Sequence, residues 1–403
     1  MRQSHFTLTG KDVQEHAGRL LQRFLGLVDF GRKCKVEVVL HVLFYAASRL
    51  MSICAACQRL TEAPCDSALF KALLATLPEY AELQRRVNRA LSGSLPKALR
   101  RRRQRLAIDL TLIPYHGQPF LDPKEIYRSL AKCGTSHFHA YASLYVVCHG
   151  QRFTVALTPV EKGEVMSAVV KRLLRLAAQA GIRPRLLLLD RGFYSIDVIR
   201  YLQCARVPFL MPAVARGRKP QKGQAARGIR AFQIWKKGGW GQHTLTRTTG
   251  RQRRATVSIG VYCGNYRGQW KRHGRFAWVY AYWGFQPLSL RWLADTYRTR
   301  FGIETSYRQM NQARIRTCTR NPLLRFLFVA IALILRNVWV WYHWEVLASP
   351  RRGARRLHLE RLRFETLLIW LLHVAEAALG ISDETSTERP PIPKVRVCRG
   401  RGP

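Results

Sequence analysis

Residues 186–195 read LLLLDRGFYS. Four leucines run straight into Asp190, and an arginine and a glycine follow. With the preceding RPR they form a short apolar segment of the length of a buried strand. Burying an unpaired carboxylate costs several kcal/mol. Asp190 therefore belongs at the open end of that strand, where it meets water, a metal or a charged partner. Upstream, VMSAVVKRLLRLAAQAG has helical apolar spacing and a glycine stop; downstream, SIDVIRYLQCARV is a helix with Ser195 as its N-cap, followed by the strand PFLMPAV. Before these come RLAIDLTLIPY, a first strand, then HAYASLYVVCHG and RFTVALTPV, two strands joined at HGQ as a hairpin. The order β-β-β-α-β-α-β predicts an α/β unit with a mixed sheet flanked by helices.

The chain around this unit has 403 residues, 47% of them hydrophobic, enough for a large core in two or three structural units. Its 68 Lys and Arg against 24 Asp and Glu give a net charge of +44. Such a balance calls for a polyanion, and nucleic acid is the first candidate over a membrane surface or a ribosomal-type role. The ten cysteines form no regular framework and the N-terminus, MRQSHFTLTGKDVQEH, has no secretory pattern, so a reduced cytoplasmic setting is expected. Cys54 and Cys57 make a C-x-x-C without the second pair a zinc site needs, and read as small core residues of a helix. The most apolar run, FLFVAIALIL at 326–335, has ten residues between two arginines, against the ~20 of a membrane span. It reads as a buried helix, and no membrane partner is expected.

Composition shifts divide the chain further. Residues 1–95 are helical, with long apolar-periodic runs at 36–60 and 67–91. Residues 96–105 are a basic linker whose run Arg100–Arg103, Arg101 and Arg102 included, lies either on DNA or in solvent. The first part of the core spans 106–213, a β-rich insertion 214–288, a helical completion of the core 289–380, and a basic Pro-rich tail 381–403.

Acids are scarce, so their positions carry information. Asp109 lies inside the first strand of the mixed sheet and Asp190 ends the fourth. If those strands are neighbours the two carboxylates come together, and a divalent metal relieves their repulsion. Pairing with arginine is the alternative for each acid taken singly. A third acid, Glu304, stands in YRTRFGIETSYRQMNQ, spaced Tyr297-x2-Arg300-x3-Glu304-x6-Asn311. On a continuous helix 297, 300, 304, 308 and 311 share one face. Arg300 and Arg308 suit bidentate grips on phosphate.

The trio Asp109, Asp190 and Glu304, with DRGFY at 190–194 and the Tyr-x2-Arg-x3-Glu spacing at 297–304, resembles the DDE transposases of the IS4-like group of bacterial insertion sequences. The resemblance spans roughly 105–345, and HFHAYASLYVV fits the family's second strand. One departure is Asn311, where the family pattern carries a lysine; Arg308 or Arg314 is available to supply that charge. The resemblance implies an RNase H-like fold with the β-rich insertion between the second Asp and the Glu. It implies two Mg2+ or Mn2+ ions, with Asp109 bridging and Asp190 and Glu304 each holding one. It further implies cleavage of double-stranded DNA at transposon ends, transfer of the 3′ hydroxyl to target DNA, binding of the ends through the helical N-terminus, and a homodimer on DNA. Tyr297, Arg300, Tyr307, Arg308, Asn311 and Arg191 are the expected DNA contacts around the acids. A metal-dependent nuclease of the same fold and a non-catalytic DNA-binding descendant remain as alternatives.

The insertion adds its own signal: Trp235, Trp240, Tyr262, Tyr266, Trp270, Trp278, Tyr280 and Trp283 among lysines and arginines. Aromatic faces hold unstacked bases and basic groups track phosphates. FAWVYAYWGF alternates as a small core would, whereas Trp240 and Trp270 sit in polar surroundings and are the stacking candidates. His116, His137 and His139 read as sheet-edge residues rather than metal ligands.

Overall fold

The computed structural model describes residues 7–148, 150–216, 220–221, 223–247, 253–267, 273–352 and 354–382. Six helices come first: α1 (Gly10–Leu25), α2 (Val36–Ser48), α3 (Ile53–Arg59), α4 (Asp66–Thr76), α5 (Tyr80–Gly93) and the short α6 (Lys97–Arg101). Strands β1 (Gln104–Pro114), β2 (Tyr127–Lys132), β3 (Thr135–Val146) and β4 (Thr154–Val160) follow, then α7 (Met166–Gln179), β5 (Pro184–Leu189), α8 (Ile196–Cys204) and β6 (Phe209–Pro212). The insertion holds α9 (Ile229–Gln233), β7 (Gly239–Arg247), β8 (Arg253–Arg267) and β9 (His273–Trp283). The chain continues through α10 (Leu290–Arg298), α11 (Gly302–Gln312), α12 (Pro322–Trp341), a small hairpin of β10 (Ser349–Arg351) and β11 (Ala354–Arg356), and α13 (Phe364–Leu379).

Among the described residues, nine strands form one mixed sheet. β1 pairs antiparallel with β3 and parallel with β5, β5 is parallel to β6, and β2 and β4 share the far edge of β3. This RNase H-like arrangement contains all five strands expected from the sequence. β2 was not expected: its side chains alternate between half-buried and exposed, and then stay exposed, so it has no core pattern to announce it. The insertion strands do not build a separate sheet. β9 pairs antiparallel with β6, and β8 and β7 extend the same sheet outward.

The leucine run follows from this placement. β5 lies between β1 and β6 with helices on both faces, so consecutive side chains meet apolar partners on alternate sides. Leu187 and Leu189 join Leu106 and Ile108 in a core shared with α7 and α8. Leu186 and Leu188 join Ala107 in a second core, shared with α10, α11, α12 and the N-terminal helices. Fully burying a leucine contributes ~1.5–3 kcal/mol.

The helix at Pro322–Val346 is long and apolar enough to cross a bilayer, yet nearly all of its most apolar window is enclosed by the protein. Its polar groups are satisfied inside: the Asn337 amide donates to the carbonyls of Leu91 and Thr154 and accepts from the Thr154 N–H. The N-terminal helices belong to the same core. α13 packs on α1 and α2, and α5 docks on β4, where Asn88 bonds both the N–H and the carbonyl of Leu157. The periodic run at 36–60 is two helices, not one. Leu50 adopts a positive φ of 53°, and Ser52 then caps α3 through the Ala55 N–H.

Candidate active site

Asp109 and Asp190 stand on neighbouring strands. The last paired rung between β1 and β5 is Ile108↔Leu189, and the two aspartates are the next residue on each. There β5 ends, while β1 continues against β3, with Asp109 opposite Ser143. The chain leaves Asp190 through a 3-10 turn, Arg191–Phe193. Phe193 and Tyr194 are buried in the core beside α7 and α8, and Ser195 caps α8 through the Val198 N–H. The DRGFY motif is thus an anchored turn: two aromatics fix it, Gly192 faces open space, and Arg191 is exposed.

Glu304 arrives from the other side, on the first turn of α11. The stripe expected on one helix is divided between two, with Tyr297, Arg300 and Glu304 still meeting at i+3 and i+4. α10 ends at Arg298, a 3-10 turn covers Thr299–Phe301, and α11 starts at Gly302. The tighter turn swings Arg300 inward, and Gly302 lets α11 approach β3, since a Cβ there would stand 3.3 Å from the Tyr145 hydroxyl. Arg300 becomes buried, at 4% exposure. Its Nη1 lies 3.1 Å from Asp109 Oδ2, and its Nη2 lies 3.3 Å from Glu304 Oε1 and 3.7 Å from Asp190 Oδ1. Its Nε donates to the Tyr297 hydroxyl at 3.1 Å. Three carboxylates from three separate elements therefore converge on one guanidinium. Tyr307 locks the frame, donating to the Asp109 carbonyl at 2.8 Å while its hydroxyl also meets Ser143 Oγ at 2.8 Å.

Burial pushes the Asp109 carboxyl up to about 6; the Arg300 charge and the Leu110 N–H oppose that rise without cancelling it. Burial likewise raises the Tyr297 phenol, and its hydroxyl stays protonated beside Arg300. Arg300 itself is held above its ordinary value by Tyr297 and the carboxylates, against the opposing effect of burial.

The other expected contacts divide by exposure. Arg191, Arg308, Asn311, Arg101 and Arg102 are exposed. Tyr297, Arg300 and Tyr307 are buried and face protein groups, because each has a carboxylate, hydroxyl or carbonyl to satisfy within the fold. Trp270 lies outside the described residues, as does nearly all of the tail 381–403. Trp240 is 46% exposed on the edge strand β7, set edge-on to Tyr282. The pairs Trp240↔Gly260, Gly260↔Tyr280 and Pro212↔Tyr280 place these residues in one row across the sheet. Two rungs past Leu188↔Leu210, Asp190 falls in the same row. Trp240 thus shares the sheet face and row of the acids, four strand spacings from Asp190, or roughly 19 Å. Tyr280 packs on Tyr297 at 5.3 Å between ring centroids, so the middle of FAWVYAYWGF, residues 279–282, is buried between the edge and the acid cluster, while Phe276 at its start is exposed. His139 is buried edge-on against Tyr115. Ser143 escaped the sequence reading, since only strand register sets it opposite Asp109.

Three carboxylates form a hard oxygen donor set suited to Mg2+ or Mn2+. As placed, no group of three or more His, Cys, Asp or Glu side chains among the described residues is close enough to hold a metal ion. The reason is spatial: Arg300 fills the centre of the cluster. The donor chemistry fits a divalent ion, and the guanidinium is the cation now meeting its charge.

Comparison with protein families matches residues 100–338 to the family described as Transposase DDE domain. Comparison with curated proteins gives no match. Among solved structures the fold is similar to a piggyBac transposase in a synaptic complex with hairpin DNA, at TM-score 0.53 and 10% identity, covering 91% of this chain and 80% of that one.

Proposed function

The chain belongs to the Transposase DDE domain family, and from that premise we propose that it cuts DNA at the ends of an insertion sequence of the IS4-like group and joins the freed 3′ hydroxyl to target DNA. The observation that carries this reading is the convergence of Asp109, Asp190 and Glu304 on Arg300 at the open end of β5. These three carboxylates would hold Mg2+ or Mn2+. Such ions, when bound, supply Lewis-acid activation of a phosphodiester and of the attacking oxygen.

The chain's own groups prepare the site. Arg300 keeps three like charges within reach of one another, a cost that would otherwise drive them apart or protonate them. Tyr307 and Ser143 fix the backbone at Asp109, so its carboxylate cannot swing away with the strand. Released toward solvent, Arg300 is also a fork for phosphate oxygens, as the exposed Arg191 and Arg308 already are. Trp240, on the same face, is placed to stack on an unpaired base. The exposed Arg101 and Arg102 and the helical N-terminus would follow the duplex, and two copies acting together would serve the two ends.

The test is strand cleavage and strand transfer on DNA carrying the element's own ends, by the wild type and by Asp109→Ala, Asp190→Ala and Glu304→Ala. Each variant should bind DNA and lose both reactions. Normal cutting by any of them removes that residue from the site, and cutting without joining by the wild type replaces the transposase reading with a nuclease.

A further inference from the structure

A second polar site lies on the neighbouring face of α11. Gly302, Thr305 and Gln309 line one wall of a cavity of about 390 Å³, Tyr145 and Arg152 a second, and Arg336, Trp339 and His343 of the helix leaving the core its floor. Arg336 is 2% exposed. Its Nε donates to Gln309 Oε1 at 3.0 Å, its Nη1 donates to the Arg152 carbonyl at 2.7 Å, and its guanidinium lies 5.5 Å from the centre of the Tyr145 ring. All of these partners are neutral, and among the described residues no carboxylate pairs with Arg336. The cavity wall contains Arg152 and no acid. A buried guanidinium without an anion is an expensive arrangement, and it favours any anion that can enter. Burial accordingly lowers its proton affinity.

A further polar atom is left open. The His343 ring bonds the Leu362 carbonyl through Nε2, and its buried Nδ1 has no partner. The rim, by contrast, is accessible: Arg152 and Thr305 are exposed. Arg325, the other acid-free buried arginine of α12, differs. Its Nε is bonded to the Thr319 carbonyl, its guanidinium covers the Tyr115 ring, and it does not line this cavity.

We propose that this cavity is a phosphate-binding site, with Arg336 on the floor and Arg152 at the rim taking the oxygens of one phosphate group. Planar guanidinium groups match phosphate oxygens in pairs, which suits this anion over a halide. The phosphate comes either from a nucleic-acid backbone or from a free phosphate or nucleotide. Thr305 follows Glu304 directly on α11, so a backbone phosphate held here would position the strand beside the acid cluster; that source rests on the function proposed above.

The experiment uses the full chain and inorganic phosphate at constant ionic strength, read by the thermal unfolding midpoint. Gln309→Glu keeps the contact with Arg336 and gives it an internal anion. Gln312→Glu, exposed on the same helix, makes the same change in net charge away from the cavity. At 100 times its Kd, phosphate should raise the midpoint of the wild type and Gln312→Glu by about 3 °C. It should leave Gln309→Glu unmoved, and Gln309→Glu should melt above the wild type without phosphate. Arg152→Gln, which retains the backbone carbonyl, should weaken the phosphate response. Equal responses in all four proteins overturn the site. Binding to a 20-base-pair duplex separates the sources: a threefold or greater loss in Gln309→Glu relative to Gln312→Glu assigns the pocket to the DNA backbone, and unchanged DNA affinity with a lost phosphate response assigns it to a free anion. Cutting without joining by the wild type would replace the transposase reading with a nuclease and leave the phosphate response standing.

Discussion

Asp109→Asn should make the protein more stable while removing its activity. Burial holds the Asp109 carboxyl up at about 6, against an ordinary value of 3.8. A carboxyl raised on folding contributes stability that is complete below its unfolded pKa and is lost as pH climbs through its folded pKa. At pH 7.5 the whole difference has been lost, about 2 units or ~3 kcal/mol at 1.36 kcal/mol per unit. Asparagine carries no charge to bury, has one amide oxygen to accept from either the Leu110 N–H or Arg300, and leaves Arg300 paired with Glu304 and Asp190. An unfolding entropy of ~2.1 cal/mol/K per residue gives roughly 0.85 kcal/mol/K for a chain of 403 residues. The melting midpoint in EDTA at pH 7.5 should therefore rise by about 3 °C, and the gain should shrink as pH falls through 6 and be nearly gone by about pH 3, below the ordinary value of 3.8. A midpoint that falls by a degree or more at pH 7.5 would mean that pairing with Arg300 outweighs burial, and the electrostatic account of the site would be wrong.

Other expectations follow from the same geometry. Asn88→Ala strands the N–H and carbonyl of Leu157, and should cost about 2–4 kcal/mol in denaturant unfolding. Gly260→Ala places a Cβ 2.5 Å from Cδ2 of the fully buried Leu293 and 3.0 Å from the Trp240 ring, and should destabilise by ~1–3 kcal/mol in denaturant unfolding even if Trp240 swings outward. Trp240→Ala should leave the melting point within about 1 °C, because the ring is half exposed at a sheet edge, while reducing fluorescence quenching by a duplex with an unpaired base. Arg191→Gln and Arg308→Gln should each lower the slope of log K against log salt for duplex binding by about one unit; an unchanged slope means that neither touches phosphate.

Local pattern determined a good part of this protein. The leucine run, the alternation through LAIDL and the glycine-stopped helix between them pointed to a mixed sheet, because strands buried on both faces need helices to cover them; that its first and fourth expected strands adjoin was left open and is decided by the pairing of β1 with β5. The scarcity of acids singled out Asp109, Asp190 and Glu304, and charge alone pointed to a polyanion. Periodicity is blind to what depends on partners distant in sequence. It ran one helix through 36–60 and another through 297–311, because neither the positive φ at Leu50 nor the tight turn at Thr299–Phe301 leaves a mark on apolar spacing. It offered Arg300 to DNA, whereas the fold turns that side chain inward to three carboxylates, from residues up to 191 positions away, that only the tertiary structure assembles. The same holds for Arg336: its cavity exists because α11, α12 and β3 meet there, and an arginine in an apolar helix says nothing of the room beside it. Sequence sets the faces that must be buried; which charges those faces enclose is decided when the elements pack.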